Sequence, residues 1–201
     1  MTDQATREST GQRARIAPLE PPYAPDVEAM LAKWMPPASE AEPLRLFRTL
    51  VVHKQLMSRM RPLGAGILGA TAAVAPELRE VVIHRTCALT GAQYEWGVHA
   101  VAFGAPLGLS EEQLYATVHG HWSDACWEPT QASVVRLADE LHQTSAISDE
   151  LWQQLASRFE EEQILELIVT AGWYHVIAYV CNGVRVEREQ WAPVFPPARE
   201  G

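Results

Sequence analysis

Residues 76–99 read PELREVVIHRTCALTGAQYEWGVH, and the reading of this stretch decides the fold. Pro76 suits a first helical position, because its missing N–H is one of the donors that a helix start leaves unpaired anyway. Leu78, Val81, Val82, Ala88 and Leu89 then recur with helical spacing, and Arg85 is the one charge on that stripe. Thr90-Gly91 makes a turn. A second helix is predicted over 92–103, stopped by Gly104 and Pro106. Two antiparallel helices joined by so short a turn are the unit of an all-helical domain. Within the second helix, Glu95 and His99 stand four residues apart, hence on one face.

The flanking sequence reads the same way. Towards the N-terminus, residues 44–60 carry Leu46, Phe47, Leu50, Val51, Leu56, Met57 and Met60 at helical spacing. Pro62 is expected to interrupt that helix and a short helix of small residues to follow over 63–71. Before it, Asp26 is expected to cap a short helix carrying Val27, Met30, Leu31 and Trp34, stopped by Pro36-Pro37. Towards the C-terminus, Ser110 and Gln113 have the spacing of a capping box. Pro129 opens a helix through 141, Ser148-Asp149 opens another, and 160–181 is the last long helix. No stretch alternates usefully with period two; 180–186 comes nearest, and Asn182-Gly183 breaks it. The expected fold class is all-α: a single domain over 21–201 with a Trp/Pro-rich tail, behind a disordered or extended arm over 1–20.

Bulk properties exclude several functions. A formal charge of −9, with lysine only at positions 33 and 54 and no basic run, argues against general nucleic-acid binding. Residues 63–75 and 167–181 lack charged side chains, but each is shorter than the roughly 20 residues of a spanning helix. Residues 1–15 contain no apolar signal core, so the reading is cytoplasmic, with no membrane partner. Cys87, Cys126 and Cys181 are odd in number and form no C-x-x-C, which argues against a disulfide framework and for small buried residues. His119-Gly120-His121 is too little to make a metal site, and His53, His142 and His175 have no ligand-like spacing; no metal is expected.

Glu80, Ala92, Glu95 and His99 together form the ladder Glu-x11-Ala-x2-Glu-x3-His. Alkylhydroperoxidase D proteins carry Glu-x11-Cys-x2-Cys-x3-His in a helical domain. The ladder, with residues 78–83, Gly108-Leu109-Ser110 and the later segments 138–141, 147–152 and 163–167, resembles the wider carboxymuconolactone decarboxylase-like superfamily over roughly 43–192, with both redox cysteines replaced. The resemblance implies an alkylhydroperoxidase D-like helical domain that is an obligate oligomer, a homotrimer or homohexamer, with sites at or near subunit contacts. It also implies one of two chemistries: a dithiol peroxidase cycle, or cofactor-free decarboxylation of an unsaturated lactone acid. With Ala92 and Glu95 at the cysteine positions, no thiolate is available there and the dithiol cycle cannot run.

What remains is two carboxylates and an imidazole. Glu80, Glu95 and His99 are the candidate catalytic residues, because orienting an acid, stabilising an enolate and protonating a carbon need little more. Tyr94, Trp96 and His84 are candidates for binding a small-molecule substrate, and Tyr174 and His175 are further candidates for the same cavity. The leading expectation is a cofactor-free, decarboxylase-like lyase acting on a small unsaturated keto acid or lactone acid. Two alternatives stay open: a peroxidase-related protein working through another cysteine, and a non-enzymatic oligomeric binding protein. At the residue level, Glu95–His99 can instead be an ordinary surface pair, Tyr94 and Trp96 core aromatics, and His84 a satisfied helix histidine.

Overall fold

The computed structural model describes residues 13–36, 39 and 41–199. Among these, every regular element is helical. In chain order they are α1 (Pro25–Ala32), α2 (Arg45–Leu50), α3 (Lys54–Leu68), α4 (Pro76–Leu89), α5 (Gln93–His99), α6 (Glu111–His119), α7 (Pro129–Thr144), α8 (Asp149–Ala156) and α9 (Glu161–Val184). A 3₁₀ turn, Val51–His53, joins α2 to α3, and a π-helical turn, Ala100–Gly104, continues α5.

Helix α4 is the axis of the domain. It packs on α5, α6, α7 and α9, and every residue from Arg79 to Cys87 is buried. A helix surrounded on all sides must pair the charges it buries. Arg85 does so by donating Nε–H to Asp139 of α7 at 2.6 Å and Nη1–H to the Thr117 carbonyl at 3.0 Å. The turn after α4 works as expected, because Gly91 takes a positive φ of 66° that a side chain would resist. The capping box at Ser110 is formed, and Glu128 and Glu160 make two more at α7 and α9. In these two the third-residue glutamine reaches back, its side-chain oxygen accepting the cap N–H of Glu128 at 3.1 Å and of Glu160 at 3.0 Å.

Three expectations for the N-terminal half need correction. The break in the 44–60 segment falls at Val51–His53, where the His53 ring accepts the Leu56 N–H at 3.3 Å and so caps α3 with a residue type rarely used for it. Pro62 lies inside α3 without stopping it, and no separate helix forms over 63–71. Pro62 and Ser58, whose carbonyl the proline leaves unpaired, both line an open groove where water can solvate that oxygen. Asp26 does not cap α1: Pro25 is already the first helical residue, and Asp26 accepts from Lys54 Nζ at 2.6 Å instead.

Residues 1–12 of the expected arm lie outside the described residues. Beyond them the chain is tied to the domain without a helix: the Arg15 N–H donates to Val184 and the Leu19 N–H to Arg48. The tail returns across α5, with Ala192 buried and the Phe195 ring edge-on to Trp96 at 5.5 Å. Helix α9, at 24 residues, is longer than expected and is apolar enough by length and composition to cross a membrane. Half of its most apolar window is buried against the domain, as befits a core helix.

Candidate active site

Glu80 projects from the second turn of α4, Glu95 and His99 from one face of α5, and Tyr174 from the middle of α9. The four meet at the His99 ring. Its Nδ1 lies 2.9 Å from Glu80 Oε2, while its Nε2 lies 3.1 Å from the Tyr174 hydroxyl and 3.4 Å from Glu95 Oε1. Glu80 is 1%, Glu95 7% and His99 3% exposed, so this is no surface pair. Phe103, in the π-helical turn, lies over the imidazole with ring centres 4.9 Å apart, and Tyr174 meets it edge-on at 5.1 Å.

The surroundings decide the charge on His99. Burial disfavours the imidazolium, but the Glu80 carboxylate and its hydrogen bond, reinforced by Glu95, overcome it and raise the pKa to about 10. At neutral pH the ring is therefore a cation between two carboxylates, donating Nδ1–H to Glu80 and Nε2–H towards Glu95 and the Tyr174 oxygen. Oε2 of Glu95 is buried and has no partner. An orphaned carboxylate oxygen beside a proton carrier is an unmet hydrogen-bonding demand that a donated proton would satisfy.

His84 lies one turn along α4 from Glu80 and behaves oppositely. Its Nδ1–H donates to the Glu80 backbone carbonyl at 2.7 Å, and its pKa falls to about 4 because it is fully buried, the attraction of Glu80 being partly cancelled by His99. It is neutral. Its Nε2 has no partner and abuts Gly104, where an added Cβ would stand 3.2 Å away. The π-helical turn thus brings bare backbone onto this ring, in the manner of π-bulges at functional sites.

Tyr94 and Trp96 are buried beside the cluster with their polar atoms committed to the protein. The Tyr94 hydroxyl donates to Glu189 of the tail at 2.7 Å and accepts from the Leu46 N–H at 3.1 Å. Trp96 Nε1–H donates to Thr117 Oγ1 at 3.0 Å. Tyr174 reaches His99, but its neighbour His175 faces away and meets His142 of α7 at 3.0 Å. Cys87 and Cys181 are buried, and burial raises both thiol pKa values well above the ordinary one; Cys126, half-buried, is also raised, again mainly by burial. Three surface grooves, between α1 and α3, between α7 and α9, and between α3 and α9, are lined by none of Glu80, Glu95, His99 and Tyr174. Among the described residues, no cluster of three or more His, Cys, Asp or Glu side chains forms a metal site.

No family model matches this sequence, and no curated protein matches it significantly. Solved structures do match in fold. A cysteine-to-alanine variant of the debrominase Bmp8, in complex with 2,3,4-tribromopyrrole, is similar with a TM-score of 0.73 at 14% identity, covering 90% of this chain and 95% of that one. The same debrominase without ligand gives 0.71 at 13% identity, covering 88% and 92%. A protein of unknown function from Agrobacterium tumefaciens, for which a role as an antioxidant defence protein AhpD has been suggested, gives 0.61 at 15% identity, covering 70% and 94%. The fold is therefore the AhpD-like helical one expected from the ladder.

Proposed function

We propose that this chain is an acid/base enzyme of the decarboxylase-like kind, in which Glu95, His99 and Glu80 act as one proton-transfer unit on a small unsaturated keto acid or lactone acid. The observation that carries the reading is the buried His99 ring held between the Glu80 and Glu95 carboxylates, with one oxygen of Glu95 left without a partner. In such a reaction the bond from the substrate's carboxyl carbon to its neighbour breaks. CO2 leaves, and the electron pair moves into the conjugated carbonyl as an enolate. Hydrogen bonding from the protonated unit stabilises the enolate oxygen. A proton then passes from His99 Nε2 through Glu95 to carbon and is replaced from water, with no change of oxidation state in the protein. Glu80 holds the ring and its charge through Nδ1. The substrate would approach over Phe103, which is 36% exposed and covers the ring.

The peroxidase-related alternative has the fold likeness in its favour, but it needs an accessible thiol of lowered pKa, and the surroundings of all three cysteines push the other way. We also propose that the protein works as a homo-oligomer, a trimer or hexamer, because α9 leaves a row of apolar side chains uncovered.

The test is turnover of a panel of small unsaturated keto acids and lactone acids, followed by CO2 release and loss of conjugated absorbance. His99→Ala is expected to lower kcat by about 10²–10⁴-fold, the ordinary worth of a positioned acid/base group. Glu95→Gln should fall in the same direction, and Cys87→Ser should leave the rate unchanged. Near-normal turnover by folded His99→Ala protein would end the proposal.

A further inference from the structure

The chain is strongly acidic, yet one groove on its surface is basic. Between α1 and the outer face of α3 lies an open groove of about 550 Å³, walled by Lys33, Lys54, Arg59 and Arg61. These include both lysines of the whole chain and four of its sixteen basic residues, and no carboxylate is among the lining residues. Among the described residues only Lys54 of the four has a carboxylate partner, Asp26 at 2.6 Å. Like charges gathered in this way repel one another, and a bound anion relieves the repulsion.

The groove also has a shape and a second chemistry. Trp34, half-buried and packed on Phe47 with ring centres 5.0 Å apart, supplies a fixed aromatic wall beside Met30. Two of the cations are held in place rather than free. Arg61 Nε–H donates to the Lys33 carbonyl at 2.8 Å, and Lys54 is held by Asp26. Ser58 and Gln55, on the same face of α3, add neutral donors between them. The volume falls within the range of small-molecule sites, roughly 300–1,000 Å³.

From these features we infer that the groove between α1 and α3 binds a small aromatic acid, with its ring against Trp34 and Met30 and its anionic group among Lys33, Arg59 and Arg61. The site shares no residue with the His99 cluster, and the inference stands apart from the reaction proposed above. Carboxylate and phosphate are both met by guanidinium and ammonium donors, Arg suiting either with paired N–H groups.

The test uses the full-length protein titrated by calorimetry and ligand-detected NMR with benzoate, phenyl phosphate and benzyl alcohol. Benzoate or phenyl phosphate is expected to bind saturably at one site per chain, more weakly as salt rises, and whichever binds tighter identifies the anionic group. Benzyl alcohol should not bind measurably. The double variant Lys33→Gln, Arg59→Gln, which removes two exposed side chains, should weaken anion binding about tenfold or more. Trp34→Leu should weaken the aromatic anions while leaving inorganic phosphate unaffected. Failure of both aromatic anions to bind would overturn the inference. So would binding unchanged in the double variant, or benzyl alcohol bound as well as benzoate. Because Trp34 also packs on Phe47, a folding defect in its variant leaves the double variant to decide.

Discussion

A single imidazole carries most of what is unusual here. His99 binds a proton tightly in the folded chain, with a pKa of about 10 against an unfolded value of 6.5, because Glu80 and Glu95 outweigh the cost of burial. The folded state therefore holds more protons than the unfolded state between these values. The stability gained is fully present below about pH 6.5 and is lost as pH rises through 10. His84 has the opposite sign. Burial lowers its pKa to about 4, so its contribution is present above 6.5 and is lost as pH falls towards 4. Wild-type protein should show a maximum of thermal stability near pH 6.5, falling on both sides. His99→Gln should lose the alkaline fall while keeping the acid one. Thermal unfolding from pH 4.5 to 10 checks this, and parallel curves for wild type and variant above pH 7 would show that His99 is not the tightly bound cation inferred here. The meeting of Glu80, Glu95 and His99 is legible in the ladder spacing, because four residues on one helix and a turn between two helices leave little freedom. Tyr174 enters from a helix 75 positions away, and no local pattern distinguishes it from its neighbour His175, which faces elsewhere.

At the scale of elements, helix existence was legible and helix interruption was not. Capping at Ser110 and punctuation at Gly91 and Pro76 act within a few residues, so their chemistry is written locally. The 3₁₀ turn at Val51–His53 and the uninterrupted α3 depend on what lies outside the helix: a histidine ring free to cap, and solvent beside Pro62. The π-helical turn after His99 has no evident signal in the sequence either, although it brings Gly104 onto His84 and Phe103 onto His99. The tail shows how a distant segment explains a residue in the middle of a helix. Gly97 has no Cβ because the Pro193 carbonyl oxygen occupies that space, with the Ala192 methyl group 3.4 Å from where the Cβ would be. Backbone leaves no rotamer to adjust, so Gly97→Ala must push the tail away. We expect a loss of about 1–3 kcal/mol, typical of overpacking, with faster hydrogen exchange over 186–196 and little change in α4. Denaturant unfolding with exchange mass spectrometry measures both. Unchanged tail protection in the variant would mean that the tail is not anchored against α5.

The molecule as a whole leaves one face unfinished. Along α9, Leu165, Val169, Val176 and Tyr179 are 64%, 44%, 44% and 68% exposed. With Gly172 between them, their positions step by four and three residues in alternation, the spacing of a helix seam. Leu165 and Val169 also share a shallow groove with Leu63 and Gly66 of α3, so the apolar surface runs across two helices. A soluble monomer rarely exposes so continuous an apolar patch without a partner for it. A second copy of the chain is the occupant that the proposed homo-oligomer supplies, and a seam of this kind is disrupted by one charge at its centre. Light scattering coupled to size exclusion should find wild-type protein as a trimer or hexamer. Val176→Glu, whose side chain is already exposed in the single chain, should fold normally by circular dichroism and shift to a smaller species. Arg59→Gln, on the outer face of α3, should not shift. A monomeric wild type would remove the oligomer from the functional proposal. An oligomer of unchanged size in Val176→Glu would place the subunit contact on some other face, and leave the α9 seam as a surface awaiting a different molecule.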